Sequence, residues 1–114
     1  MDVLELDARL NALIIARKSQ EAFLTYYAED VVSQENDEPE RVGREEWMKA
    51  RQDAEGSIKR FEARVLAHAA KGNTTFSEWE YVVELEGMGT LKIAQVAVRR
   101  WKDGRVVRER FYHK

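Results

Sequence analysis

The spacing of apolar residues changes once along this chain, near Ser57, and this change constrains the fold more than any other feature. Before Ser57, apolar residues recur every three or four positions, as they do along one face of a helix. From Ser57 onward they alternate with polar residues, as they do in strands that bury one face. Helices therefore come first and long strands follow, which predicts an α+β domain whose helices cover one face of a sheet.

Three helices are predicted in the first half of the chain. The first covers residues 2–17, where helical spacing relates Leu6, Leu10, Leu13 and Ile14. The second begins at Ser19, whose hydroxyl can cap free backbone amides, and runs to the Tyr26-Tyr27 pair. The third follows Gly43 and ends at Gly56.

Strands make up most of the remaining sequence. A short first strand at residues 31–32 precedes residues 34–40, an acidic stretch that contains the only proline and is predicted to be a loop. Four long antiparallel strands are predicted from Ser57 to the end of the chain. Short turns separate them at Lys71-Gly72-Asn73, Gly87-Met88-Gly89 and Lys102-Asp103-Gly104. The chain shows no linker or repeat, so we expect one domain over residues 1–114.

Composition argues against several classes of function. The 19 basic and 21 acidic residues leave a net charge of −2, which creates no field to attract nucleic acid. There is no cysteine, so disulfides, thiolate metal sites and cysteine nucleophiles are excluded, and a cytoplasmic location is expected. No apolar run is long enough to span a membrane, and the first residues lack the basic start of a signal peptide.

Three motifs, in this order, resemble the nuclear-transport-factor-two-like superfamily. They are Tyr26-Tyr27-Ala28-Glu29-Asp30-Val31-Val32, Val42-Gly43-Arg44-Glu45-Glu46, and Trp101-Lys102-Asp103-Gly104-Arg105-Val106-Val107 with Phe111-Tyr112. Within the superfamily the chain is most similar to SnoaL-like proteins. The resemblance implies a cone in which a curved antiparallel sheet and three helices surround one pocket. It also implies a homodimer formed through the sheets.

The resemblance to ketosteroid-isomerase relatives places a catalytic carboxylate at Glu35. A carboxylate at the mouth of an apolar pocket is suited to moving a proton next to a carbonyl group, without a cofactor. Alternatively, Glu35 is simply the first of four hydrated acids in the loop. In ketosteroid-isomerase relatives a tyrosine and a protonated aspartate donate hydrogen bonds to the substrate oxygen. The corresponding positions here are Asn11 and a position near Ala97, so both donors are missing and steroid isomerisation is disfavoured. Asn11 can still donate one hydrogen bond to a substrate.

The resemblance also implies which side chains of the last two strands face inward. If they alternate as in the family, the residues on the concave face are Gln95, Arg99, Glu109, Phe111 and His113. A buried Glu109 needs a cationic partner, which Arg99 or Arg110 can supply, and we favour a structural or substrate-orienting ion pair over a catalytic acid. His113 is expected to be frayed and solvated, and His68 is expected on the exposed face of its strand.

Aromatic residues are numerous enough to line a pocket for a small apolar or aromatic molecule. Tyr26, Trp47 and Trp79 are the candidates for that lining, and Trp101 is expected to close the end of the sheet. No metal-ligand spacing or phosphate-binding loop is present, so neither a metal nor another cofactor is expected. The alternative function is a non-catalytic module that binds a ligand, or fills its interior with side chains, and uses its sheet for dimerisation.

Overall fold

The computed structural model describes residues 2–114; Met1, which the domain prediction includes, lies outside them. The helices are α1 (Val3–Ile15), α2 (Ser19–Tyr26) and α3 (Arg44–Glu55). The strands are β1 (Tyr27–Glu35), β2 (Arg41–Val42), β3 (Ile58–Lys71), β4 (Thr74–Leu85), β5 (Gly89–Lys102) and β6 (Arg105–His113). The α+β prediction is confirmed, because three helices pack on a single six-stranded sheet.

The sheet is mixed rather than purely antiparallel. Its order is β2-β1-β6-β5-β4-β3, and β1 runs parallel to β6, whereas the other neighbouring strands are antiparallel. The first strand is also longer than the sequence predicts, because Gln34 and Glu35 pair with Arg110 and Phe111 of β6. Glu35 therefore belongs to a strand and not to the acidic loop.

One face of the sheet carries the core, and the helices cover it. In α1, the Asp2 side chain caps the first turn by accepting a hydrogen bond from the Glu5 amide at 2.9 Å. The buried side of α1 contains Asp7 and Asn11 as well as Leu10, so polar groups enter the core with the helix. The other large core residues are Phe23, Tyr27, Val31, Trp47, Trp79, Trp101, Val106 and Phe111. None of the helices within residues 2–114 combines the length and the hydrophobicity needed to cross a bilayer.

An irregularity in β3 reverses the expected orientation of His68. The pairing of β3 with β4 shifts register between Val65 and Ala67. Beyond that point the alternation of the strand is inverted, and the His68 side chain turns toward the helices and is only 22% exposed. The expectation that His68 lies on the exposed face is therefore wrong.

Candidate functional site

A buried arginine joins α1 to the last two strands. Arg99 on β5 is 1% exposed, and its Nε donates to Oε2 of Glu109 on β6 at 2.6 Å. Its Nη1 donates to Oδ1 of Asp7 at 2.9 Å and to Oδ1 of Asn11 at 2.5 Å. Three secondary-structure elements thus meet at a single guanidinium, whose planar fork suits carboxylates on two sides.

Glu109 is a fully enclosed carboxylate of this cluster, with 0% exposure. Oε2 accepts a hydrogen bond from the Tyr27 hydroxyl at 2.5 Å in addition to that from Arg99, and Oε1 accepts one from the Trp47 indole at 3.2 Å. Burial, followed by the negative charge of Glu109, raises the pKa of Tyr27 well above its usual value, so Tyr27 remains a neutral donor. Arg110, the other cation proposed as a partner for Glu109, pairs with the exposed Asp37.

Asp7 binds the opposite side of Arg99 and is also 0% exposed. It accepts a hydrogen bond from the Thr75 hydroxyl at 2.9 Å, and its Oδ2 lies 2.7 Å from Nε2 of His68. Burial acts to raise the pKa of Asp7, but the Arg99 charge and the donated hydrogen bonds outweigh it, so the pKa is lowered. Asp7 is therefore an ionised and fully compensated carboxylate inside the protein.

The cavity beside this charged cluster is very small. It measures about 20 Å³, which is room for about one water molecule. Polar groups of Tyr27, Tyr81, Arg99 and Glu109 contribute to its wall, along with the aromatic rings of Trp47 and Phe111. Side chains thus fill most of the interior of the cone, and we call the remaining space the inner cavity.

A larger space, which we call the outer cavity, lies on the other side of Trp47 and Phe111. Its volume is about 250 Å³. It is lined by Ser33, Gln34, Glu35, Glu38, Pro39, Glu40, Arg41, Trp47 and Phe111. The end of β1, the residues that follow it and one face of the core therefore form a site that a small molecule can enter.

Glu35 on the wall of the outer cavity pairs with His113. Nε2 of His113 lies 2.7 Å from Oε2 of Glu35, and the two side chains are 26% and 35% exposed, respectively. The main-chain amide of His113 also donates to Oδ1 of Asn36 at 2.9 Å. A hydrogen bond to the Lys114 carbonyl, followed by the one to Glu35, raises the pKa of His113. His113 is therefore held in place and not frayed, which corrects that expectation.

Tyr81 and Gln95 form a second polar pair on the concave face. Nε2 of Gln95 donates to the Tyr81 hydroxyl at 3.3 Å. The Tyr81 ring stacks on Trp79 with centroids 5.3 Å apart, and burial raises the pKa of Tyr81 to about 12. Trp79 is one of the residues predicted to line the pocket, but it is fully buried behind Tyr81. Tyr81 lines the inner cavity in its place.

Two further candidate residues lie away from both cavities. Tyr26 packs edge-on against Trp101 at 6.4 Å, on the opposite side of the helix end from Tyr27. Asn11 is 4% exposed, and its amide group is used by Arg99 and Asp7. Neither residue lines either cavity, so the structure does not place them at a binding site.

Sequence reasoning missed Asp7, Thr75 and Tyr27, although one pattern pointed to the first of them. Asp7 precedes Leu10 by three positions and Asn11 by four, so a helix places all three on one face. Thr75 and Tyr27 carry no comparable pattern, because their partners come from distant parts of the chain. Within residues 2–114 there is no group of three or more potential metal ligands.

Comparison with known proteins gives one family and many structures of the same shape. A sequence profile of the SnoaL-like domain matches residues 8–109. A candidate SnoaL-like polyketide cyclase from Mesorhizobium loti is 19% identical, with a TM-score of 0.82 over 98% of this chain and 99% of that one. An LEH-like epoxide hydrolase from M. tuberculosis is 18% identical, with a TM-score of 0.79 over 98% and 82%.

A third structure, a protein with a ketosteroid isomerase-like fold from Catenulispora acidiphila, was solved in complex with trimethylamine. It is 15% identical, with a TM-score of 0.70 over 80% of this chain and 72% of that one. At such low identities these likenesses show the fold alone. A search of curated proteins finds no match to this chain.

Proposed function

This chain belongs to the SnoaL-like domain family, and we propose that it binds a small molecule in the outer cavity and transfers a proton on it without a cofactor. The observation that carries the proposal is the position of Glu35. Its carboxylate lies on the wall of a cavity of about 250 Å³, beside the aromatic rings of Trp47 and Phe111 and 2.7 Å from His113. A base, a potential acid and an apolar surface therefore meet at one accessible place.

In the proposed reaction, Glu35 accepts a proton from a carbon atom next to a carbonyl group of the bound molecule. The electron pair left on carbon is delocalised onto the carbonyl oxygen, and the proton returns to the same or a neighbouring carbon, so the reaction needs no oxidant or reductant. His113 lies within hydrogen-bonding distance of Glu35 and can exchange the proton with it. The raised pKa of His113 favours its protonated form beside Glu35.

The test begins with a thermal-shift screen of small carbonyl compounds. Each compound that raises the melting temperature is then incubated with the protein in D₂O, and NMR follows the exchange of carbon-bound hydrogen for deuterium. Glu35→Gln should lower the exchange rate by about 10²–10⁴-fold, the usual contribution of a general base. Glu62→Gln, at an exposed position on β3, is the matched control and should exchange at the native rate. Unchanged exchange in Glu35→Gln would remove Glu35 from the mechanism.

One observation favours a second candidate function, that of a non-catalytic binding module. The inner cavity has room for about one water molecule, so the interior lacks the open, substrate-sized pocket that the fold resemblance implies. A module of this kind would bind compounds in the screen without catalysing any exchange in D₂O. The same experiment therefore separates the two functions.

We also propose that two copies of the chain associate through the convex face of the sheet. Phe76, Val96 and Tyr112 are 38%, 37% and 44% exposed on that face, on three neighbouring strands. Glu78 lies on one side of this apolar centre and Arg110 on the other, so a two-fold rotation would bring opposite charges together. Phe76→Glu should shift the molecular mass measured by analytical ultracentrifugation from dimer to monomer; a native protein that is already monomeric would contradict the proposal.

Finally, we propose a cytoplasmic location, supported by the absence of cysteine from the sequence. Fractionation of the source cells with an antibody against this protein tests it. Recovery in a membrane or secreted fraction would contradict it.

A further inference from the structure

We propose that the ligand of the outer cavity carries a positively charged ammonium group. This inference rests on the proposed function for the location of the site, and it adds the chemical class of the molecule that binds there. Three features of the wall support it: its carboxylates, its aromatic rings and a hydroxyl that no described residue binds.

The wall of the outer cavity is predominantly acidic. Glu35, Glu38 and Glu40 contribute to it, whereas Arg41 is the one basic residue among the described residues of the lining, which gives a formal charge of −2. The basic partners of two of these glutamates lie outside the lining, since Glu35 pairs with His113 and Glu40 pairs with Arg108. Glu38 has no ion pair among the described residues, so its carboxylate can pair with a cationic ligand.

Aromatic rings form the inner side of the same cavity. Trp47 and Phe111 have centroids 5.9 Å apart with planes inclined at 52°, and each residue is 7% exposed. The Trp47 ring is fixed, because its Nε1 donates to Glu109 in the core. A fixed aromatic wall facing a group of carboxylates provides the two interactions that stabilise an organic ammonium ion, cation–π attraction and charge pairing.

Ser33 places a hydrogen-bonding group on the wall of the cavity. It is 5% exposed, lines the cavity, and its hydroxyl makes no hydrogen bond with any residue in the part of the chain that the structure describes. A polar group on the ligand, close to the ammonium, would satisfy the Ser33 hydroxyl.

Choline and its uncharged analogue, in which carbon replaces the quaternary nitrogen, are the probes for this inference. The two molecules share size, shape and hydroxyl group and differ only in charge. Choline should bind about tenfold or more tightly than the analogue, as measured by NMR titration of the Trp47 indole signal, and added salt should reduce the difference. Equal affinity of the two probes, or no binding of choline, would overturn the inference.

Surface variants test the contribution of the wall without affecting the core. Glu38 is exposed and has no ion pair among the described residues, so Glu38→Gln should weaken choline binding severalfold while the fold is retained. Arg41→Gln removes the opposing positive charge and should tighten binding. Glu62→Gln, at an exposed position on β3, is the control and should change nothing. If Glu38→Gln and Arg41→Gln both bind choline with native affinity, the wall does not select a cation.

The ammonium inference and the proton-transfer proposal fail in different ways. Choline has no acidic carbon next to a carbonyl, so its binding reports the cavity and not the reaction. Choline binding together with unchanged deuterium exchange in Glu35→Gln would sustain the ammonium site and refute the role of Glu35. Exchange that depends on Glu35 but occurs only with uncharged compounds would do the reverse.

Discussion

The substitution Glu109→Gln removes one charge from the buried cluster while changing the size of the side chain very little. Glu109 is 0% exposed and accepts hydrogen bonds from Arg99, Tyr27 and Trp47. A glutamine can keep its oxygen toward Arg99 and Tyr27, but its NH₂ group then faces the indole N–H of Trp47, and two donors meet. Arg99 also loses one of the two carboxylates that compensate its buried charge.

The expected loss of stability follows from these contacts. Removing one partner of a buried ion pair costs about 3–5 kcal/mol. Domains of this size are stable by about 5–15 kcal/mol, so the loss is a large fraction of the total. With a urea dependence of about 2 kcal/mol per M, the midpoint of unfolding should fall by about 1.5–2.5 M.

Urea unfolding followed by tryptophan fluorescence measures this shift. The matched control is Glu80→Gln, which removes the carboxylate of the exposed pair with Arg64, at 2.8 Å. Exposed pairs contribute less than about 1 kcal/mol, so the control should shift the midpoint by less than about 0.5 M. If the two variants lose the same stability, the cluster around Arg99 does not hold α1 and the sheet together as described.

Two further predictions concern acid stability and a turn. The lowered pKa of Asp7 means that its ionisation stabilises the fold above its unfolded pKa of about 3.9, and that this contribution is lost as pH falls through the folded pKa. Asp7→Asn should therefore flatten the dependence of the unfolding free energy on pH below about pH 4. An unchanged slope would contradict this. Gly104 has a φ of +78°, with open space around the position of a Cβ, so Gly104→Ala should destabilise the fold by about 1 kcal/mol through backbone strain alone. The control Gly56→Ala lies in the ordinary helical region and should not destabilise it. Equal thermal shifts in the two variants would exclude strain as the cause.

Local pattern predicted the parts of this fold that depend on neighbouring residues. The Asp103-Gly104 turn has φ values of 52° and 78°, the left-handed conformation that this pair favours, and the last strand begins directly after this turn, at Arg105. The side-chain alternation implied by the family resemblance also turned Arg99 and Glu109 toward the same face, where they pair. These features follow from backbone conformation and side-chain parity, which a sequence displays directly.

Features that depend on a distant partner were not predictable in this way. Asp7 and Arg99 are 92 positions apart, and an acid within an apolar stripe is explained only when the arginine that compensates it is in place. The acidic run after Val32 looks like solvated loop, yet the backbone of Glu35 pairs with β6 and its side chain pairs with His113. His68 turns inward because an extra residue in β3 inverts the alternation, and no local pattern marks that position.

The sequence by itself determined the order of the helices and the long strands and the turns between those strands, since each is set within a few residues. The tertiary structure alone decided which charges meet inside the protein, how little space remains beside them, and that an accessible cavity lies at the end of β1. The physical reason is that a buried charge or a cavity is a property of several segments packed together, and its energy depends on all of them at once.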